Sequence, residues 1–128
     1  MNGKKRILLI TTGGTIMSVQ SANGLQPGED ENSLLRFPGS GQYDITVHSL
    51  LTLDSSNIQP EEWALIARCI YEMRGDYDGI VITHGTDTMA YTASALTFML
   101  PGLDRCVVLT GSQVPVSNML SDAYANLQ

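Results

Sequence analysis

The length, composition and charge of this chain exclude several classes of protein. Its 128 residues, 43% of them hydrophobic, suffice for one globular domain with a buried core. The net charge of −6 at pH 7 argues against nucleic acid or an anionic membrane as its main partner. Cys69 and Cys106 lack the spacing of a metal site, so we expect buried, inert thiols and a reducing, cytoplasmic location.

The first half of the chain predicts two strands that are separated by a loop. Residues 7–10 form a short apolar run that predicts the first strand. Residues 18–32 are rich in glycine, serine, asparagine and proline, a composition that favours a loop of turns. A short helix is expected over residues 31–37. Residues 44–53 alternate in hydrophobicity and then become apolar, which predicts the second strand.

The second half of the chain alternates helices with strands. A helix is predicted from Pro60, a residue suited to the first helical position, to Gly75. The next elements are predicted as a strand over 78–83, a helix over 89–100 and a strand over 106–110. This alternation is typical of an α/β fold with a mostly parallel sheet that is flanked by helices.

The last eight residues, SDAYANLQ, predict the opening of one more helix, with Ser121 at its N-cap. This helix would stop after about two turns. We therefore expect residues 1–128 to be a single α/β domain that is truncated within its fold.

Three apolar runs end in similar chemistry: ILLITTGGT (7–15), GIVITHGTDT (79–88) and VVLTGSQ (107–113). In each run, aliphatic residues are followed by threonine or histidine, then glycine, then small polar residues. Ligands bind at the carboxyl ends of the strands in an open α/β sheet, so we expect these turns to form an active site. The chain has no G-x-x-x-x-G-K-[ST], G-x-G-x-x-G or G-x-S-x-G motif, so neither nucleotide binding nor a nucleophile elbow is indicated.

The polar residues after the first and third strands each have two interpretations. Thr15 follows glycines that let the backbone approach a ligand, but such glycines also suit a plain tight turn. Thr86 and Asp87 follow a strand and precede a helix, where they could serve chemistry or cap the helix. The motifs themselves leave these alternatives open.

The remaining candidates are serines and histidines. Ser55 and Ser56 belong to the segment DSSN, which adds hydroxyls after the second strand but also suits a polar Asx turn. His48 and His84 are not spaced as metal ligands, and we expect His84 to hydrogen-bond to the backbone. No metal site is predicted.

TTGGTI (residues 11–16) and GIVITHGTDTMAYTASAL (residues 79–96), with DSSN between them and VVLTGSQVP after them, resemble the bacterial-type L-asparaginase family. The resemblance is greatest to its cytoplasmic type I members and runs through essentially the whole chain. It covers only the amino-terminal part of the family, whose members carry a second, carboxyl-terminal domain. The resemblance implies a Rossmann-like or flavodoxin-like amino-terminal domain.

The family hydrolyses the side-chain amide of asparagine, and sometimes of glutamine, to the acid and ammonia. By motif, Thr15 matches the nucleophile, Thr86 the second catalytic threonine, and Asp87 the carboxylate that binds the substrate's α-ammonium group. The resemblance implies substrate-binding roles for Ser55, which contacts the α-carboxylate, and for Ser56, Gly14 and Gly85. It implies a small-molecule substrate, no metal, no cofactor, and a homo-oligomer in the full-length form.

Two departures from the family pattern bear on activity. Leu25 stands where many members have a tyrosine that assists the nucleophile, so the group that activates Thr15 stays open. The family's catalytic lysine would lie beyond residue 128. Lys4 and Lys5 cannot replace it, because at about 3.3 Å per residue they lie roughly 23 Å from the strand's carboxyl end.

These departures define two alternatives to asparagine hydrolysis. The 128-residue chain alone is expected to be catalytically silent, with at most weak amino-acid binding or a role in assembly. A glutaminase or amidotransferase-type member is the further alternative, and the absence of a basic, tRNA-facing segment argues against it. The sequence does not decide between asparagine and glutamine.

Overall fold

A computed structural model describes residues 3–28 and 30–128 of the chain. The strands are β1 (Lys5–Gly13), β2 (Ser18–Ser21), β3 (Gly24–Pro27), β4 (Tyr43–Leu53), β5 (Gly79–Thr83) and β6 (Cys106–Thr110). The α-helices are α1 (Pro60–Met73), α2 (Met89–Met99) and α3 (Ala123–Leu127). Four of the strands form a parallel sheet in the order β4-β1-β5-β6, which confirms the predicted α/β fold with helices flanking the sheet.

The register of the sheet aligns the carboxyl ends of its strands. Thr11 of β1 pairs with Ser49 of β4 on one side and with Thr83 of β5 on the other. Thr83 in turn pairs with Thr110 of β6. The turns that follow the four strands therefore leave the sheet at one edge, where ligands bind in open α/β folds.

Helices α1 and α2 cover one face of the sheet. The hydrophobic core between these helices and the sheet is made of aliphatic side chains from both: Leu8 and Ile10 of β1, Ile80 and Ile82 of β5, Ile66 and Ile70 of α1, and Leu96 of α2. Burial of each such aliphatic side chain stabilises the fold by about 1.5–3 kcal/mol. Helix α1 begins with the predicted proline, and the Gln59 and Glu62 side chains complete a capping box there.

The opposite face of the sheet has a second core. Leu9 of β1 points to this face because adjacent strand residues alternate. It packs in one cluster with Leu34, which lies in a 3-10 helix (Glu31–Arg36), and with Val116 and Ala123 near the end of the chain. The Tyr124 hydroxyl donates to the Ser33 carbonyl at 3.0 Å and so joins α3 to this 3-10 helix.

Three local predictions need correction. Residues 18–32 are not only a loop, because β2 and β3 form an antiparallel hairpin whose turn residues are Ala22 and Asn23, followed by Gly24 at positive φ. Cys106 is exposed, whereas Cys69 is buried as expected. Asp122, rather than Ser121, holds the N-cap position of α3, although the Ser121 hydroxyl does accept from the Ala123 amide at 3.0 Å. Across the described ranges, no helix has the length and apolar character that a bilayer crossing needs.

Candidate active site at the carboxyl edge of the sheet

A cavity of about 180 Å³ opens at the carboxyl edge of the sheet. Its walls come from the turns after β1, β4 and β5, and from Met17, Ser18 of β2 and Leu25 of β3. The lining residues are Gly13, Gly14, Thr15, Met17, Ser18, Leu25, Thr52, Leu53, Asp54, Ser55, Gly85, Thr86 and Asp87. The cavity is large enough for a small polar molecule, and hydroxyls, two carboxylates and backbone surround it.

The turn after β1 positions Thr15. Gly13 and Gly14 both have positive φ, 99° and 83°, a backbone conformation that side-chain-bearing residues rarely adopt. The Gly14 amide donates to the Leu53 carbonyl at 3.1 Å, which fixes this turn against the end of β4. Thr15 then begins a short 3-10 helix (Thr15–Met17) with its side chain half-buried at the cavity wall.

The turn after β4 presents Ser55. The Asp54 carboxylate accepts hydrogen bonds from the Ser56 amide and the Ser56 hydroxyl, each at 2.9 Å. These bonds hold the pKa of Asp54 below its usual range. They also cap the 3-10 helix (Ser55–Asn57), so Ser55 is held at the cavity with only 2% of its surface exposed.

The turn after β5 carries Thr86 and Asp87 at the cavity. Thr88 occupies the N-cap position of α2, so neither residue is the cap that the alternative interpretation required. The Thr88 hydroxyl donates instead to the Ser55 carbonyl at 2.7 Å and ties this turn to the previous one. Gly85 lies so close to Ser55 that a β-carbon there would approach the Ser55 Oγ to 2.6 Å.

The structure therefore gathers six of the seven predicted site residues around one cavity: Gly14, Thr15, Ser55, Gly85, Thr86 and Asp87. Ser56 does not line it, because its hydroxyl is bound to the Asp54 carboxylate. We expected the turn after β6 to line this cavity as well, but the described lining residues include none from that turn. Gly111, which follows β6, packs against the His84 backbone instead, where a β-carbon would collide with the His84 carbonyl oxygen.

His84 lies beneath the cavity and is fully buried. Its Nδ1 lies 2.7 Å from the Gly85 carbonyl oxygen, which confirms the expected bond to backbone, and its Nε2 lies 2.8 Å from the Thr92 hydroxyl. Burial lowers the pKa of His84 because the charged ring would lose its hydration. The contact with Thr92 of α2 had no signal in the sequence, because His84 lies in the turn before that helix.

The electrostatics of the cavity are acidic. Among the described residues that line it, the titratable ones are Asp54 and Asp87, and both bonds from Ser56 end on Oδ1 of Asp54. The cavity therefore presents one carboxylate from the turn after β4 and one from the turn after β5 to a cationic group. Within residues 3–28 and 30–128, no cluster of three or more His, Cys, Asp or Glu side chains could hold a metal ion. Leu25, 48% exposed on the hairpin, adds an apolar wall.

Comparisons with known proteins identify relatives of this chain. L-asparaginase 1 of Escherichia coli K12 is 46% identical over 130 residues that cover 97% of this chain and 38% of the relative. A crystal structure of L-asparaginase I from Vibrio cholerae matches with a TM-score of 0.89 and 42% identity, over 98% of this chain and 39% of that one. A glutamyl-tRNA(Gln) amidotransferase subunit of Methanosphaera stadtmanae is 40% identical over 97% of this chain and 29% of its own length.

The chain thus spans less than two-fifths of the length of these relatives. The family model described as "Asparaginase, N-terminal" matches residues 6–128, which include every strand turn that lines the cavity. On this match, and on the fold shared with the Vibrio cholerae enzyme, the chain belongs to the asparaginase family.

Proposed function

We propose that the cavity binds L-asparagine and that the complete protein hydrolyses its side-chain amide to L-aspartate and ammonia. The observation that carries this proposal is the convergence of Thr15, Ser55, Thr86 and Asp87 on one cavity of about 180 Å³. A zwitterionic amide needs an anion for its ammonium group, donors for its carboxylate and a nucleophile for its amide carbon. The cavity supplies at least one residue for each requirement. Two relatives of the chain carry the name L-asparaginase.

Each residue has a distinct role in this proposal. The Thr15 hydroxyl attacks the amide carbon, ammonia leaves with the proton that Thr15 gives up, and water then releases aspartate from the threonine ester. Asp87 binds the α-ammonium group with its carboxylate, the role that the family resemblance implies for it, from its place in the cavity wall. Ser55 donates to the α-carboxylate. Thr86 is the second catalytic threonine, and backbone amides beside it stabilise charge on the amide oxygen.

The need for a base that accepts the Thr15 proton limits what the 128-residue chain does by itself. A threonine hydroxyl is a weak nucleophile unless a base accepts its proton, and the described residues of the cavity wall include no lysine or histidine. Lys5 begins β1 at the far end of the sheet and forms an exposed ion pair with Asp78. We therefore propose that residues 1–128, the amino-terminal α/β domain, bind the substrate, and that turnover requires the lysine that the family resemblance places beyond residue 128.

A binding measurement tests the substrate-binding part of this proposal. Calorimetric titration of the chain with L-asparagine should give saturable binding that Asp87→Asn weakens at least about tenfold, because the ammonium loses its partner. Succinamate is asparagine without the α-ammonium group, so its binding should not weaken in Asp87→Asn. Asp104→Asn, at an exposed position remote from the cavity, is the matched control. Equal L-asparagine affinity in wild type and Asp87→Asn would contradict the assigned role.

Ammonia release from L-asparagine by the chain, with Thr86→Ala as control, tests the catalytic part. The proposal expects no release above that control from the chain alone. Release that disappears in Thr86→Ala would show that the downstream lysine is dispensable.

A second candidate function is hydrolysis of glutamine, either free or for a partner protein. The observation in its favour is the 40% identity to the glutamyl-tRNA(Gln) amidotransferase subunit of Methanosphaera stadtmanae. The same titration with L-glutamine distinguishes the two, because a glutamine site should bind it at least as well as L-asparagine. A cytoplasmic location and a homo-oligomeric full-length form stay predictions from the sequence.

A further inference from the structure

A series of hydrogen bonds runs from helix α1 to the floor of the cavity. The Trp63 indole N–H donates to the Thr92 hydroxyl oxygen at 2.9 Å. The Thr92 hydroxyl lies 2.8 Å from His84 Nε2, and His84 Nδ1 lies 2.7 Å from the Gly85 carbonyl oxygen. Helices α1 and α2 and the end of β5 are thus connected to the residue that precedes Thr86.

The chemistry of these partners favours one protonation state of His84. A carbonyl oxygen can only accept, so Nδ1 carries the proton that is donated to Gly85. Nε2 is then an acceptor, and the Thr92 hydroxyl donates to it while accepting from Trp63. Both ring nitrogens are satisfied when the ring is neutral. Burial, which lowers the pKa of His84, favours the same neutral form.

The backbone of His84 is held as firmly as its ring. The His84 amide donates to the Thr110 carbonyl at 2.8 Å, which ties it to β6. The Thr12 hydroxyl donates to the Thr83 carbonyl at 2.7 Å and ties the preceding residue to β1. Both neighbouring strands therefore hold the backbone at residues 83 and 84. The imidazole of His84 is thus held in place relative to the sheet, and the turn that follows is bonded to it.

The bond to Gly85 sets the direction of the next peptide. The described peptide bonds are all trans, so the Gly85 carbonyl and the Thr86 amide point in opposite directions. The carbonyl points inward to the buried His84 ring, so the Thr86 N–H points away from that ring. Among residues 3–28 and 30–128, no backbone carbonyl accepts a hydrogen bond from this amide. A donor left free beside a reacting carbonyl is what charge stabilisation requires.

We propose that His84 is a positioning residue: held as the Nδ1–H tautomer by Trp63 and Thr92, it anchors the Gly85 carbonyl and thereby aims the Thr86 amide at the substrate. The assignment of a substrate to that amide rests on the proposed function, whereas the tautomer and the anchored peptide do not. His84 itself does not line the cavity, so it acts through Gly85 and Thr86.

Two substitutions of His84 separate positioning from packing. His84→Asn places an amide N–H near the former Nδ1 and keeps a donor for the Gly85 carbonyl. His84→Gln is closer to histidine in size, but its amide lies near the former Nε2 and cannot serve Gly85. Positioning predicts that Asn preserves L-asparagine affinity better than Gln does, with a loss in Gln of about three- to tenfold, the worth of one hydrogen bond. A packing role predicts the reverse order, and that result would overturn the proposal.

Nuclear magnetic resonance supplies readouts that need no ligand. Long-range ¹H–¹⁵N spectra of the wild-type imidazole should show a protonated Nδ1, and a protonated Nε2 would overturn the proposal. Nitrogen relaxation of the Gly85 and Thr86 amides should show a single conformation in wild type and His84→Asn but exchange broadening in His84→Gln. If these signatures hold while wild type fails to bind L-asparagine, the proposed function fails and the anchoring of the peptide stands.

A second set of variants tests the series of hydrogen bonds without altering His84. Thr92→Val removes the hydroxyl and should shift the His84 Nε2 resonance, whereas Thr92→Ser retains the hydroxyl and should restore it. Thr97→Val is the matched control, since that hydroxyl is exposed on the same helix and donates to the Ala93 carbonyl. An imidazole spectrum that is unchanged in Thr92→Val would overturn the role of Thr92 in holding the tautomer.

Discussion

Gly14 and Gly85 touch through their backbones: a β-carbon on Gly14 would lie 2.6 Å from the Gly85 α-carbon and the Gly85 nitrogen. The turn that carries Thr15 and the turn that carries Thr86 therefore meet with no side chain between them. This close approach sets the distance between Thr15 and Thr86. A side chain added at the contact should therefore push the two turns apart and increase that distance.

Gly14→Ala should disrupt both the fold and the site. A residue with a side chain at φ 83° is strained by about 1–3 kcal/mol, and overlap with the Gly85 backbone adds about 1–3 kcal/mol. Chemical denaturation monitored by circular dichroism measures the loss. Gly24→Ala is the control, because Gly24 also has positive φ, 102°, but has nothing within 4 Å of an added β-carbon. An equal loss in both variants would show that the contact with Gly85 is without consequence.

Asp54→Ala should destabilise the turn that presents Ser55. The substitution removes the carboxylate that caps the 3-10 helix (Ser55–Asn57), at a cost of about 1 kcal/mol. L-asparagine affinity should fall as well, since Ser55 loses its fixed position. Asp30→Ala removes an equivalent cap, where Asp30 accepts from the Asn32 amide at 3.1 Å, away from the cavity. Asp30→Ala should cost similar stability but leave affinity unchanged, and a parallel loss of affinity would contradict the assignment.

The buried His84 should make stability depend on pH near neutrality. Its pKa is lower in the folded chain than its ordinary value of about 6.5, so the unfolded chain binds more protons between the two values. The free energy of unfolding should therefore be fully present above about pH 6.5 and fall as the pH drops below it. Urea denaturation between about pH 5 and pH 8 measures this slope, and His84→Asn should reduce it. A slope that is identical in the variant would assign the effect to other groups.

How far the sequence predicted the fold is clear from particular elements. Helix α1 was predicted from Pro60 because proline at the first helical position and acidic residues in the first turn are local signals. The hairpin of β2 and β3 was missed because the composition of residues 18–32 was taken to mean a loop, and Gly24, which follows the Ala22-Asn23 turn at positive φ, was not weighed as a hairpin signal. Cys106 was misjudged because it lies on β6, an edge strand whose exposure depends on what packs beside it.

The sequence by itself determined the alternation of helices α1 and α2 with the strands of the parallel sheet and the glycine-rich turns at the strand ends, because apolar periodicity and turn composition are local properties. Only the tertiary structure decided which strand ends meet. The order β4-β1-β5-β6 puts β1 between β4 and β5, so the turn with Ser55 joins those with Thr15 and Thr86, while the end of β6 supports His84 instead. The bonds from Trp63 through Thr92 to His84 likewise span 29 and 8 residues, separations that packing alone closes.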